Sequence, residues 1–167
     1  MHILIDGYNY LHAIRNVGNL DAAGFERERD KLVQRFATYR YYRPNDITVV
    51  FDGTESLNLY RGREDHQGIK VVFSAQGENA DRVIMEKAEP GNLVVTADRE
   101  IIEHVLANGA ETIPPLEFDQ RVAMAAMMDG GEKDDDYDDR PTTTKKKGNP
   151  RRKSKKERRK NRFLDKL

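Results

Sequence analysis

Three short runs of apolar and β-branched residues each end in an aspartate, and this pattern most restricts the folds open to the chain. The runs are residues 2–5, 47–51 and 92–97, and the aspartates that follow them are Asp6, Asp52 and Asp98. Such runs are typical of strands buried in a parallel sheet. Ligands of open α/β sheets bind beyond the carboxyl ends of the strands, so these aspartates are candidate site residues. A single Asp-Gly pair is also an ordinary turn, and the prediction therefore depends on the recurrence.

The remaining pattern alternates strands with helices. Further strands are predicted at residues 69–73 and 111–113, while residues 54–67 lack periodicity and are predicted to form a loop beside the strand ends. Helices are predicted at 21–42, with Asp21 as the N-cap, and at 80–88, 99–106 and 116–128. This alternation indicates an α/β fold with a central parallel sheet of about five strands flanked by helices.

Composition narrows the class of protein and the kind of metal site. The chain has no cysteine, which excludes disulfides and cysteine-ligated metals and leaves oxygen or histidine as ligands. It also has no apolar stretch of about 18 residues, and its first strand follows the initial methionine without a signal-like segment. We therefore expect a soluble protein that is not exported, with a cytoplasmic location.

The formal net charge of zero conceals two oppositely charged parts. Residues 1–128 hold 20 acidic and 14 basic side chains, whereas residues 129–167 hold 9 acidic and 15 basic ones. The second part contains an acidic block at 129–139 and a basic block at 145–162, and neither has enough apolar surface to offset its ordering entropy. The prediction is a domain over 1–128 followed by a disordered tail over 129–167.

The strand-end aspartates would meet at one edge of a parallel sheet, and Asp81, in the first turn of a predicted helix, would complete the group. Carboxylates so close together repel one another unless a cation neutralises them, and an all-oxygen set suits Mg²⁺ or Mn²⁺. The chemistry that follows is metal-assisted hydrolysis of a phosphodiester. Asn9 would add a neutral oxygen ligand or hold a water or a phosphate.

Other phosphate and acyl chemistries fit the residues less well. A haloacid-dehalogenase-type enzyme needs a second aspartate two residues after the first, where this chain has Tyr8. A response regulator needs a second acid beside the first strand and a lysine at a strand end, and neither is found. The chain also lacks a Gly-rich phosphate loop and a Gly-x-Ser-x-Gly elbow.

Four blocks of sequence, in this order and spacing, resemble the NYN domain of the PIN-like superfamily, most closely its YacP-like branch, which includes ribosome-associated endoribonucleases. The blocks are residues 5–9, 50–53, 79–84 and 95–99. The resemblance covers about residues 1–128 and implies a three-layer PIN-like fold with metal-dependent endoribonuclease activity. By position it implies that Asp6, Asp52, Asp81 and Asp98 bind the metal, that Asn9 is the motif asparagine and that Thr96 supports the site.

RNA or the ribosome is the partner that the charge pattern favours. Arg61, Arg63 and Lys70 are candidates for contacts near the site, with ordinary surface charge as the alternative. The tail candidates are Lys145, Lys146, Lys147, Arg151, Arg152, Lys153, Lys155, Lys156, Arg158, Arg159, Lys160 and Arg162. A solubilising tail is the alternative for that segment.

The leading hypothesis is a metal-dependent endoribonuclease that acts on RNA, with ribosome-associated mRNA or rRNA as candidate substrates. One alternative is a catalytically inactive RNA- or ribosome-binding adaptor that keeps the fold. A complete set of four acids argues against it, because a binder of polyanions gains nothing from a negative pocket without metal. The other alternative is a DNA nuclease related to flap-type enzymes, although the sequence contains no helical arch or helix-hairpin-helix segment.

Overall fold

A computed structural model of the protein describes residues 1–15, 17–53 and 61–128. Within these residues the chain forms six strands and five α-helices, with one 3₁₀ turn at Val17–Asn19. The strands are β1 (His2–Asp6), β2 (Asp46–Phe51), β3 (Gly62–His66), β4 (Ile69–Phe73), β5 (Leu93–Val95) and β6 (Glu111–Ile113). The helices are α1 (Gly7–Arg15), α2 (Ala22–Tyr42), α3 (Ala80–Lys87), α4 (Arg99–Ala107) and α5 (Pro115–Met128).

The strands form one sheet in the order β3-β4-β2-β1-β5-β6, and all neighbours are parallel except the β3–β4 pair. β1 lies in the interior between β2 and β5, so its carboxyl end lies between the ends of two other parallel strands. The predicted α/β class and parallel sheet are therefore confirmed, with one antiparallel edge strand added.

Helices cover both faces of the sheet because side chains alternate along each strand. Ile3 and Ile5 belong to a core with α1, α2 and α5, whereas Leu4 belongs to a second core with α3 and α4. The first core contains several edge-to-face aromatic contacts, including Phe36 and Phe118 with their neighbours. The result is the three-layer arrangement that the sequence predicted, and it holds β1 rigidly between two packed layers.

The predicted loop at residues 54–67 is partly wrong. Residues 62–66 form β3, a polar and largely exposed edge strand that pairs with β4. The two strands meet in a hairpin whose turn residues have positive φ, Gln67 at 54° and Gly68 at 83°, as a type I′ turn requires. An edge strand with both faces polar shows no alternation of apolar and polar residues, so hydrophobic periodicity could not predict it. Residues 54–60 lie outside the described residues.

Three helix and strand boundaries also differ from the prediction. Residues 7–15, for which no helix was predicted, form α1, and the strand expected at 92–97 is restricted to Leu93–Val95. The last helix begins at Pro115, one residue before the predicted start at 116, and proline's missing N–H costs nothing at this first helical position. Asp21 is the N-cap of α2 as predicted, and its Oδ1 accepts a hydrogen bond from the Gly24 N–H at 2.8 Å.

The predicted disorder of the tail at 129–167 concerns residues outside the described part of the chain. Within residues 1–15, 17–53 and 61–128, no helix combines the length and hydrophobicity needed to span a bilayer.

Candidate active site

The parallel register places the predicted site residues at one edge of the sheet. Asp6 is the last residue of β1 and is level with Val50 in β2, so that Asp52 follows two residues beyond. Ile5 is level with Val95, and Thr96 therefore comes directly beyond the end of β5, beside Asp6. The carboxyl ends of three adjacent strands supply polar side chains to the same edge.

Asp6 is almost fully enclosed, with 5% of its surface exposed. Its Oδ1 accepts a hydrogen bond from the Asn9 N–H at 3.1 Å, and its Oδ2 accepts one from the Thr96 hydroxyl at 3.2 Å. The pKa of Asp6 is raised to about 6, chiefly by burial and to a lesser extent by the negative charges of Asp81 and Asp98, while the two hydrogen bonds oppose the rise. A carboxylate in this position is costly, and a nearby cation would relieve that cost.

Thr96 connects Asp6 to Asp98. The Thr96 Oγ1 donates to Asp6 and accepts a hydrogen bond from the Asp98 N–H at 3.1 Å. Asp98 is the N-cap of α4, and its Oδ1 accepts from the N–H groups of Glu100 at 2.8 Å and Ile101 at 3.3 Å. The cap fixes the orientation of the Asp98 carboxylate at the positive end of the helix dipole.

Asn9 has a structural role that the sequence did not indicate. Its side-chain Oδ1 accepts a hydrogen bond from the Ala97 N–H at 2.9 Å, which ties the first turn of α1 to the segment between β5 and α4. Its own N–H binds Asp6. The side-chain oxygen that we expected to face a metal or phosphate is thus used to hold Asp6 and Asp98 in register.

Asp81 lies in the first turn of α3, whose N-cap is Asn79. The Asn79 side-chain amide donates to Asp81 Oδ2 at 3.4 Å. Burial raises the pKa of Asp81, and so do the negative charges of Asp98, Glu100 and Asp52. Asp6, Asp52 and Asp81 line one open cleft of about 300 Å³, which we call the carboxylate cleft; its other lining residues are Tyr8, Asn79 and Ala80.

Asp52 is held by a residue that the sequence analysis missed. The buried Ser74 follows β4 and donates a hydrogen bond from its Oγ to Asp52 Oδ1 at 2.8 Å. The same Oγ accepts from the Gly53 N–H at 2.9 Å. Ser74 could have been found only by its place immediately after a buried strand, at the edge where the aspartates gather.

The glycine after each of two aspartates is explained by close packing. Neither Gly7 nor Gly53 has the positive φ of a glycine turn. Instead, a Cβ on Gly7 would overlap the Phe51 ring, and a Cβ on Gly53 would overlap the backbone oxygen of Ser74. The recurring Asp-Gly pairs therefore mark places where the chain passes very close to a neighbour, with an aspartate beside each.

The donor set at the cleft suits a hard divalent cation, because each aspartate offers carboxylate oxygens and none of the residues that line the cleft contains sulfur. As they are placed, no three acidic or histidine side chains of residues 1–15, 17–53 and 61–128 are grouped closely enough to ligate one ion. The pKa values of Asp6 and Asp81 are nevertheless raised, chiefly by burial, and Asp98 contributes to both increases through its negative charge. The oxygen donors of the cleft are therefore of the type that Mg²⁺ and Mn²⁺ prefer.

The predicted basic contacts are distributed unevenly around the site. Arg61 forms ion pairs with Glu78 and Glu86, so its charge is already compensated. Arg63 lies exposed on β3. Lys70 pairs with Thr48 of β2, and Thr48 pairs with Leu4 of β1. Lys70 therefore lies two residues before the level of Asp6, on the side of the strands' amino ends. The structure brings neither Arg61 nor Lys70 to the cleft as a free cation, and residues 145–162 lie outside the described part.

Comparison with protein families identifies the fold. The sequence model of the YacP-like NYN domain matches residues 3–166. This chain belongs to that family. The match runs past residue 128, so the basic block that we interpreted from charge alone lies within the region shared with the family.

Relatives of known sequence and structure agree with the family. The protein YacP of Bacillus subtilis is 35% identical over 94 residues, which are 56% of this chain and 55% of that relative, or about half its length. The crystal structure of Rae1 (YacP) from Bacillus subtilis has 28% identity and a TM-score of 0.62 over 78% of each chain. A mutant of the same protein gives 27% identity and a TM-score of 0.62, over 76% of this chain and 77% of the other.

Proposed function

We propose that this protein is a metal-dependent endoribonuclease whose reaction takes place in the carboxylate cleft. The observation that carries the proposal is the enclosed Asp6, whose pKa is raised to about 6, chiefly by burial, in the same cleft as Asp81, whose pKa burial and neighbouring carboxylates also raise. Such groups lower the stability of the folded chain, and they are typical of sites that are built to bind or react. Membership of the YacP-like NYN domain family supports a nuclease.

In this proposal Mg²⁺ or Mn²⁺ is held by Asp6, Asp52 and Asp81, which line the cleft, together with Asp98, which caps α4 and is not among the lining residues. A bound ion of this kind activates water, orients a phosphodiester and offsets the negative charge that develops on its oxygens. The surrounding residues orient the acids. Thr96 donates to Asp6 and accepts from the Asp98 N–H, and Ser74 donates to Asp52.

Asn9 is a positioning residue in this account. It binds Asp6 through its own N–H and the Ala97 N–H through its side chain, so it fixes the distance between β1 and the segment that carries Asp98. Asn9→Ala is expected to lower activity without removing a ligand. If Asn9 only stabilised the fold, the folded variant would keep the Mn²⁺ affinity of wild type. If Asn9 positions the metal-binding acids, the variant should need more Mn²⁺ to reach half of its maximal cleavage rate.

The substrate in this proposal is RNA, with ribosome-associated mRNA or rRNA as candidates, and the location is cytoplasmic. The described body is acidic, so the basic residues at 145–162 would supply the attraction to phosphates. The support is the charge of that segment and its inclusion in the family match.

The test is cleavage of labelled single-stranded and structured RNA by the purified protein with Mn²⁺, Mg²⁺ or EDTA, beside Asp81→Asn and Asp98→Asn. Asparagine is as good an N-cap as aspartate, so Asp98→Asn removes the charge and keeps the helix start. We expect cleavage by wild type with metal only, and a loss of about 100-fold or more in each variant. Equal cleavage by wild type and both variants, or persistence in EDTA, would refute the proposal.

A matched control removes an exposed carboxylate of α2 that does not line the cleft. The side chain of Asp30 is 68% exposed and lies 3.6 Å from Arg29 in a loose ion pair. Asp30→Asn should cleave RNA at the wild-type rate, because it changes the net charge by the same amount without altering the cleft.

A further inference from the structure

A second cavity adjoins the carboxylate cleft and differs from it in character. It has a volume of about 600 Å³ and shares Tyr8 and Asp52 with the cleft. Four aromatic side chains line it, and we call it the aromatic pocket: Tyr8, Phe25, Phe51 and Phe73. A cavity of this size accommodates a group as large as a nucleoside.

The aromatic residues form a continuous wall at the border of the first core, to which Phe51 belongs. Tyr8 and Phe25 stack with ring centroids 4.6 Å apart, and Phe51 and Phe73 stack at 6.1 Å. Phe51 is buried, but Tyr8, Phe25 and Phe73 are each only half-buried and present part of their surface to the pocket. Partly exposed aromatic rings beside a polar cleft are a surface on which flat groups stack.

Charged groups surround this wall. The Arg29 guanidinium lies 5.3 Å from the centre of the Phe73 ring, and Arg29 lines the pocket together with Glu26 and His12. A flat apolar face bordered by a cation and by hydrogen-bonding groups matches a nucleobase, whose faces stack and whose edges donate and accept hydrogen bonds. It matches an aliphatic ligand poorly, because Arg29 and Glu26, which pair with each other at 3.5 Å, would lose hydration beside a group that offers them no hydrogen bond.

We propose that the aromatic pocket binds one nucleobase of the RNA strand whose phosphodiester lies in the carboxylate cleft. This inference rests on the proposed function, since it is the shared residues Tyr8 and Asp52 that place a base of the same strand in the pocket. The pocket holds the base by stacking, which every base permits, and the hydrogen-bonding groups at its border discriminate among bases.

Binding measurements test the pocket without relying on cleavage. The full-length protein is titrated in EDTA against fluorescent nine-nucleotide single-stranded RNAs in which a single abasic ribose is moved through every position. At one or two positions the missing base should weaken wild-type binding by about 5- to 150-fold, the usual effect of losing one base–aromatic stack. Equal binding of all the abasic RNAs by wild type would overturn the proposal without any variant.

Variants then assign the effect to the pocket. Phe25→Leu should weaken binding of the intact RNA about as much as the abasic substitution does and should remove the dependence on that position, whereas Phe25→Tyr should retain both. The control is Tyr41→Leu in the same helix, an aromatic residue that is 83% exposed and does not line the pocket, and it should bind as wild type does. Position dependence that persists in a folded Phe25→Leu protein would overturn the assignment.

Parallel cleavage assays keep the two proposals distinct. If wild type cleaves RNA with Mn²⁺ but ignores abasic positions, the nuclease proposal stands and the base pocket fails. If wild type shows Phe25-dependent recognition of one base but cleaves no RNA with either metal, the pocket stands as a binding site and the nuclease proposal fails.

Discussion

Replacing Asp6 with asparagine should stabilise the metal-free protein at pH 8, although it would remove a carboxylate of the proposed metal site. The pKa of Asp6 rises from 3.8 to about 6 on folding, chiefly because the carboxylate is buried. A carboxyl group with a raised folded-state pKa contributes stability below its unfolded pKa and loses it as pH rises through the folded value. Asparagine does not titrate, so the variant avoids this loss.

The magnitude follows from the pKa difference. A difference of one in pKa corresponds to about 1.4 kcal/mol, and wild type therefore loses roughly 3 kcal/mol of unfolding free energy between low pH and pH 8 at Asp6. About half of this is lost below pH 5, and the rest disappears between pH 5 and pH 8. The asparagine oxygen can still accept from the Asn9 N–H, and its amide can donate to the Thr96 hydroxyl, so the local hydrogen bonds survive.

The assay is urea unfolding of wild type and Asp6→Asn in EDTA at pH 5, 6, 7 and 8. We expect the unfolding free energy of the variant to exceed that of wild type by about 2–3 kcal/mol at pH 8, and this difference should be about half as large at pH 5. Asp30→Asn, at an exposed position, should differ from wild type by less than about 0.5 kcal/mol throughout. The reasoning is refuted if Asp6→Asn is no more stable at pH 8 or if its advantage is independent of pH.

Three further perturbations test packing, a buried hydrogen bond and the basic block. Gly53→Ala should lower the urea unfolding free energy by about 1–3 kcal/mol because its Cβ would overlap the Ser74 backbone oxygen, and an unchanged midpoint would contradict that packing. Tyr10→Phe should cost about 1 kcal/mol by removing the 2.7 Å hydrogen bond to Asp119, as thermal unfolding would show, whereas an equally stable variant would mean that the bond contributes nothing. Neutralising four cations should reduce the slope of log affinity for single-stranded RNA against log salt by up to about 3, and an unchanged slope would remove them from RNA binding. The four substitutions are Lys155→Gln, Lys156→Gln, Arg158→Gln and Arg159→Gln.

The buried strands and the long helix could be predicted because their signals are local. Apolar runs before Asp6 and Asp52 indicated strands, and Asp21 correctly indicated the start of α2. Gathering of the acids at one edge followed from parallel pairing, which the register confirms for β1, β2 and β5. These inferences required only hydrophobic periodicity and the geometry of parallel sheets.

Features that depend on tertiary contacts were missed. The helix α1 begins immediately after β1 without a separate cap, because Asp6 itself accepts the Asn9 N–H as a capping residue would. A polar strand such as β3 is defined by its partner β4 rather than by its own pattern. Ser74, too, is recognisable only through the hydrogen bond that it donates to Asp52.

Candidate RNA contacts were the least predictable from sequence. Arg61 was a candidate because it is basic and follows Asp52 closely in the sequence, yet Glu78 and Glu86 compensate its charge. The pairing also lowers the pKa of Glu78 to about 2. Charge alone does not show which cations are already paired. The aromatic pocket could not be predicted for a related reason, since Phe25 fits the apolar stripe of α2 and only the fold shows that its ring is partly exposed.

The proposed nuclease activity requires that the carboxylate cleft bind a divalent cation. Calorimetric titration of Mn²⁺ at pH 8 tests this binding directly. Wild type and Asp30→Asn should bind Mn²⁺, and Asp6→Asn and Asp81→Asn should bind it at least about 10-fold more weakly. Wild-type affinity should also fall at pH 5, because protons compete for carboxylates whose pKa values are raised. Absence of binding by wild type, or equal binding by all four proteins, would contradict the account.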